Sequence, residues 1–371
     1  MPAKTNRQGS GQVIVLEPYF GGSHRLFLEG LQKQLPCPFL FLTLPAHGWK
    51  WRMRLAAPWF AKELLRILPD GPGDNDCLLC STFVDVALLK GLLPGRWQRI
   101  PIATYFHENQ FAYPVRNEDE RDLHFGITNL TTALASDRLA FNSAYNLETF
   151  LNGCRTVLKK APDITLPDAE SSIRAKSIIL PPPLDFSAID TLDETARADS
   201  PVILWNHRWE HDKNPERFFN ALFELDQQEV DFQLIVVGQS FRQQPPIFEE
   251  ARLRLRHRLL HFGYAPSRDE YLQWLHRADL VVSTAIHEFF GLAVLEAVRA
   301  GCRPLLPARL SYPELFPKEY LYAKGTLHKE LVKSLRDGRL SRETARSLTE
   351  KFSWSSLAGE YQQWLFPDGN S

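Results

Sequence analysis

Short apolar runs separated by stretches of helical length recur along this chain, and they leave few folds open. Val13–Leu16, Phe39–Leu42, Cys77–Cys80, Ile100–Tyr105, Leu139–Phe141 and Ile178–Leu180 form one series. Val202–Trp205, Phe232–Val237, Leu259–Phe262, Leu280–Ser283 and Pro304–Leu306 form a second. Continuous apolar runs of this length suit strands buried on both faces, and spacers such as Pro215–Leu225 suit the crossover helices that parallel strands require. The pattern predicts an α/β protein with a Rossmann-like parallel sheet built twice.

The chain has 371 residues, more than one hydrophobic core usually serves. Between the two series, Pro181-Pro182-Pro183 and an acidic stretch running to Pro201 cannot continue a sheet, so a connector is expected near residues 185–200. This gives an N-terminal domain over residues 12–185 and a C-terminal one over 200–350. In residues 351–371, apolar and aromatic positions from Phe352 to Phe366 fall at helical spacing, predicting a helix that packs back across the first domain.

A formal net charge of −1 argues against a coat for nucleic acid by bulk charge and leaves room for a local basic patch. Met1–Gln12 is polar, and no apolar run approaches the roughly 18 residues that span a bilayer, so a cytoplasmic protein without stable membrane insertion is expected. The five cysteines are scattered and expected to be reduced. Cys77 and Cys80 lie on one strand at a spacing that sends them to opposite faces, which argues against a shared metal. Asp74-Asn75-Asp76 precedes a strand and reads as a turn.

In an open parallel sheet, ligands bind beyond the carboxyl ends of strands. After Leu280–Ser283 comes a segment with Glu288 in the loop and Glu296 in the following helix. Phe289-Phe290-Gly291-Leu292 would open that helix and offer its free N–H groups to an anion such as a diphosphate. Glu296 would accept hydrogen bonds from vicinal ribose hydroxyls; a solvent-facing glutamate fits the spacing equally well. The loop after Val202–Trp205 adds Arg208, able to fork onto phosphate oxygens, and Lys213, a point charge. Such cations stabilise a departing diphosphate more than a bound one. With cations rather than acids at the phosphates, the reaction is expected to need no metal. His207 and His211 sit in the same loop without an obvious third ligand.

In the first series, Gly21-Gly22-Ser23-His24 follows the first strand, where paired glycines let backbone approach a ligand, so Gly21 and Gly22 are expected on the donor side and Ser23 and His24 on the acceptor side. His107-Glu108-Asn109-Gln110 follows the fourth run with aromatics on both sides, a pattern suited to carbohydrate, and Asn142-Ser143 is a milder version; structural turns are the alternative. Trp49, Lys50, Trp51, Arg52 and Arg54 interleave cations with aromatics, as surfaces for stacked bases and phosphates do. A membrane-surface patch, or packing of both tryptophans inward, remains open.

Glu288-x7-Glu296 with upstream Arg208 and Lys213 resembles the retaining GT-B enzymes of glycosyltransferase family 4. That resemblance implies two Rossmann-like domains facing a cleft, diphosphate held by Arg208 and Lys213, ribose by Glu296, and Glu288 and His107 near the donor sugar. Two departures are visible: His207 stands where the family usually has glycine, and Asn214 replaces the glycine after the lysine. Gly21-Gly22-Ser23-His24, Leu44–Arg54, His107–Gln110 with Tyr113-Pro114, Trp205–Pro215 and Ser283–Glu296 together closely resemble the tRNA-queuosine alpha-mannosyltransferases. This second resemblance implies GDP-mannose as donor and queuosine at the wobble position of an aspartate tRNA as acceptor. The rival readings are a transferase of the same fold acting on a lipid or small glycan, and a nucleotide-sugar binding module without turnover.

Overall fold

The computed structural model describes residues 11–114, 122–192, 199–240 and 244–367. Twelve strands form two parallel six-stranded sheets, each in its own compact unit. In the first lie β1 (Val13–Phe20), β2 (Phe39–Pro45), β3 (Cys77–Ser81), β4 (Ile102–Phe106), β5 (Arg138–Phe141) and β6 (Ser177–Ile179), ordered β2-β1-β3-β4-β5-β6. In the second lie β7 (Val202–Trp205), β8 (Gln233–Val237), β9 (Leu259–Gly263), β10 (Leu280–Val282), β11 (Arg303–Pro307) and β12 (Leu321–Tyr322), ordered β12-β11-β10-β7-β8-β9. The two-residue β12 carries too little apolar sequence to be found by pattern.

Strand alternation builds the layers. In β1, Val13 and Val15 face one helical layer, while Ile14 and Leu16 face the other. Cys77 and Cys80 divide between the same two layers, and all five cysteines are free thiols. In β7, Val202 and Leu204 go to one side, Ile203 and Trp205 to the other.

The first unit is residues 1–183 together with the chain from Trp354 onward. The helix Trp354–Leu365 places Trp354, Leu357, Tyr361 and Trp364 in the core formed with Phe27, Leu28, Leu31 and Tyr105. Gly30 permits this approach, since a Cβ there would lie 2.2 Å from the Trp354 ring. Tyr361 Oη donates to the Pro181 carbonyl at 2.9 Å, tying the helix to the end of β6.

The second unit runs from Leu184 to Ser353. Here the expected connector needs correction: Phe186 and Ile189 are core residues of this unit, and Leu184 bridges to Ser353. Asp190 is held by Arg299, which also binds Glu350, so the segment is anchored by charge as well as apolar packing. The acidic composition that suggested a linker includes the anchor of this contact. Residues 193–198 of the expected connector lie outside the described residues.

Each sheet has a point where strand order reverses direction, between β1 and β3 in the first and between β7 and β10 in the second. In open parallel sheets, such points are where ligands bind, beyond the carboxyl ends of the strands.

Candidate functional site

At the second unit's reversal point, the loops after β7 and β10 meet. Asn206, directly after β7, donates to the Ala293 carbonyl at 2.7 Å and to Tyr271 Oη at 3.2 Å. Tyr271 Oη in turn donates to Glu296 Oε2 at 3.1 Å, and the Arg268 guanidinium binds Glu296 Oε1. A continuous chain of hydrogen bonds therefore joins the β7 loop to the carboxylate in the helix Leu292–Arg299. Both Glu296 oxygens are engaged, and Arg268 stacks over the Tyr271 ring at 5.2 Å.

Lys213 is buried, and its ammonium donates to the His287 carbonyl at 2.9 Å and pairs with Asp212 at 3.0 Å and Glu288 at 3.2 Å. Three N–H donors thus meet three acceptors. Burial alone would lower the lysine's pKa, but Glu288 and Asp212 outweigh it and raise it. Burial pushes Glu288 up, but the Lys213 ammonium outweighs it and brings it below its usual range. His207 is held neutral, pushed down to about 4 by burial and by the charge of Lys213. The ion pair joins two residues that the sequence reading gives separate roles, the lysine on phosphate and Glu288 beside the sugar. Arg208 is half exposed and lies 3.0 Å from Glu210.

Asn214 adopts φ 51°, ψ 57°, the left-handed conformation that a glycine would supply, and asparagine tolerates it best among residues with a Cβ. The loop keeps its turn despite the substitution noted in the sequence. Gly291, at φ 116°, caps the helix that begins at Leu292. Phe290 packs into the core against Phe352, and Phe289 lies edge-on to His287.

In the first unit, Gly21 is extended at φ −173°, and a Cβ there would lie 2.5 Å from Ala46 Cβ. Gly22 is left-handed at φ 52° and opens the helix Gly22–Gln34, with Ser23 exposed beside it. His24 turns inward, 3.1 Å from Glu17 and 3.6 Å from Glu108, and stacks on His107 with ring centroids 4.0 Å apart. The loops after β1 and β4 thus converge at the carboxyl edge of the sheet. Glu17, missed by sequence reasoning, is concealed because it sits within an apolar strand.

Several residues of the patterns read as suited to carbohydrate are taken up by the scaffold. Asn109 is fully buried; its amide donates to Asn146 and Thr149, and its oxygen accepts from the Ala112 N–H. Gln110 is buried, with its N–H on Asn129. Asn142 donates to the His107 carbonyl at 2.7 Å, and Ser143 caps the helix Ala144–Leu158. Polar residues after strands serve the backbone as often as a ligand, and sequence does not distinguish the two uses. Trp49 packs against Phe83, Phe125 and Tyr113, whereas Trp51 is 71% exposed. Lys50 lies over the Trp49 ring, Arg52 reaches His47, and Arg54 covers Phe125 while pairing with Asp122. Leu55 and Trp59 extend the exposed line of Trp51 along the helix Trp49–Ile67.

Among the described residues, no helix is long and apolar enough to cross a membrane, and no three metal-ligating side chains gather.

Residues 12–184 match the family described as tRNA-queuosine alpha-mannosyltransferase N-terminal, and residues 190–351 match Glycosyl transferases group 1. A tRNA-queuosine alpha-mannosyltransferase of Drosophila melanogaster is 34% identical over 360 residues, covering 94% of this chain and 93% of that protein. Among solved structures, a sucrose-phosphate synthase from Thermosynechococcus elongatus superposes with TM-score 0.66 at 18% identity, covering 95% of this chain and 98% of that one. The lipopolysaccharide outer core galactosyltransferase WaaB does so with TM-score 0.65 at 14% identity, covering 96% and 99%.

Proposed function

The chain belongs to the family of tRNA-queuosine alpha-mannosyltransferases, glycosyltransferases of GT-B fold, and from that premise we propose that it moves mannose from GDP-mannose to queuosine at the wobble position of an aspartate tRNA. The observation that carries the donor half of this reading is the network at the β7/β10 reversal point. It has two parts, the Lys213–Glu288 pair and the chain from Asn206 through Tyr271 to Glu296, which start from the loops after β7 and β10.

In this reading Arg208 leaves Glu210 to fork onto the diphosphate, and Lys213 exchanges one acceptor for a phosphate oxygen. Glu296 exchanges Arg268 for the vicinal ribose hydroxyls. Glu288 and His107 orient the mannose. Transfer retains configuration by a front-face route: the acceptor hydroxyl oxygen bonds to C1 on the side from which the phosphate departs. The proton passes to a phosphate oxygen, and GDP leaves with the electron pair of the broken bond. Arg208 and Lys213 stabilise the charge that accumulates on the departing group. Because these cations meet the phosphates, turnover is expected to be unchanged by a metal chelator, and a loss of rate on chelation would contradict this part. We place the reaction in the cytoplasm, with queuosine-bearing tRNA as partner.

Labelled GDP-mannose incubated with tRNA that contains or lacks queuosine tests the acceptor. The reading expects label only in the queuosine-containing RNA; equal labelling of both would overturn it. The exposed line of Trp51, Leu55 and Trp59 favours one rival, a transferase seated on a lipid surface. That rival expects mannosylated lipid from vesicles and no label in RNA.

A further inference from the structure

His24 has no part in the roles proposed above, yet its surroundings are built around it. Carboxylates face both nitrogens of its buried ring, Glu17 Oε2 at 3.1 Å from Nδ1 and Glu108 Oε2 at 3.6 Å from Nε2. Ionised carboxylates only accept hydrogen bonds, whereas a neutral imidazole donates from one nitrogen and presents a lone pair at the other. Only the imidazolium suits both neighbours at once. Glu17 is itself fixed, since its second oxygen accepts the Tyr19 N–H at 2.7 Å. One face of the His24 ring lies on His107, with an interplanar angle of 29°. The His107 ring is boxed by Phe27 at 5.0 Å and Tyr105 at 4.6 Å, both edge-on.

We propose that His24 is a positioning residue for the transfer reaction: clamped between Glu17 and Glu108, its ring is the platform that sets the plane and protonation state of His107. This rests on the reading that His107 orients the transferred sugar. Two stacked positive rings repel at this separation, so the clamped imidazolium keeps His107 neutral, able to accept a hydrogen bond at one nitrogen and donate one at the other. Burial would lower the pKa of His24, but Glu17 and Glu108 outweigh it and raise it to about 10. Burial first, and His24 second, hold His107 well below the usual histidine range. The groups facing the two rings are Glu17 and Tyr19 from β1, Phe27 from the helix after it, Phe83 after β3, Tyr105 on β4, and Glu108. Of these, Glu17 and Glu108 are the carboxyl groups, and both favour a proton on His24.

Imidazole NMR titration of the full chain, alongside kcat/KM against pH, tests this with His24→Gln and Glu108→Gln. In the unmodified protein, His24 stays protonated through pH 8, His107 stays neutral to pH 5.5, and kcat/KM is flat on the acid side. In His24→Gln, the His107 titration moves up while burial of the ring still holds it below the ordinary histidine value, and an acid-side fall of kcat/KM appears at the pH of that titration. In Glu108→Gln, the His24 titration moves down. The proposal is overturned if His107 titrates unchanged in His24→Gln, or if that variant is uniformly slow with an unaltered pH profile, as a merely structural residue would be. Should His24→Gln not fold, an unmoved His24 titration in Glu108→Gln overturns it instead. The titrations need no substrate, so they test the clamp even if the acceptor proves not to be queuosine; the expected titrations without transfer to queuosine would sink the acceptor reading alone.

Discussion

Lys213 shows how much, and how little, a single side chain reveals in sequence. Its charge and its place before a helix mark it as a phosphate ligand, but its burial among Asp212, Glu288 and the His287 carbonyl cannot be read from neighbours in the chain. Partners 75 positions apart have no local signature. Arg268 and Tyr271 escape sequence reasoning for the same reason, since they matter only through Glu296. Replacing Lys213 with methionine leaves two carboxylates buried without their counter-ion, and is expected to cost about 3–5 kcal/mol of stability in denaturant unfolding. A loss near zero would mean that the ion pair carries no weight. At Asn214 the left-handed backbone predicts that glycine is tolerated and valine costs about 1–2 kcal/mol, measurable by the same titration. His24 gives a pH dependence with a defined sign. Its folded pKa of about 10 lies above the ordinary 6.5, so its contribution to stability is complete below 6.5 and is lost as pH rises through 10. The thermal midpoint of His24→Gln should lack that alkaline decline.

At the scale of elements, the alternation of apolar runs makes eleven strands visible, because the central strands, such as Cys77–Ser81 and Val202–Trp205, are buried on both faces and almost wholly apolar. The sheet order, and with it the reversal points, comes only from the structure. The helix Trp354–Leu365 is legible from its aromatic spacing, and its packing makes it part of the first unit's core. Tyr361→Ala should therefore destabilise by about 3–5 kcal/mol, although it is far from both candidate sites in sequence. The helix Trp49–Ile67 separates two tryptophans that look alike in sequence. Alanine at Trp51, with Lys50 and Arg54, should weaken tRNA binding and flatten its salt dependence while leaving GDP affinity intact. Binding to RNA that survives these changes would return the exposed line to another partner.

At the scale of the molecule, the chain repeats one architecture and assigns different chemistry to each copy. The first unit gathers Glu17, His24, His107 and Glu108; the second pairs Lys213 with Glu288, carries Arg208 on the same loop as Lys213, and holds Glu296 in the helix after the β10 loop. The account depends on the second set gripping the nucleotide. Calorimetry of GDP-mannose binding to the intact protein and to Arg208→Ala, Glu296→Gln and the double variant measures this directly. Removing one charge-assisted hydrogen bond to the nucleotide should weaken binding by about 1.5–3 kcal/mol, roughly tenfold or more, with folding unchanged by circular dichroism. Affinity unaltered in the folded double variant would contradict the account, because the donor would then be held somewhere else.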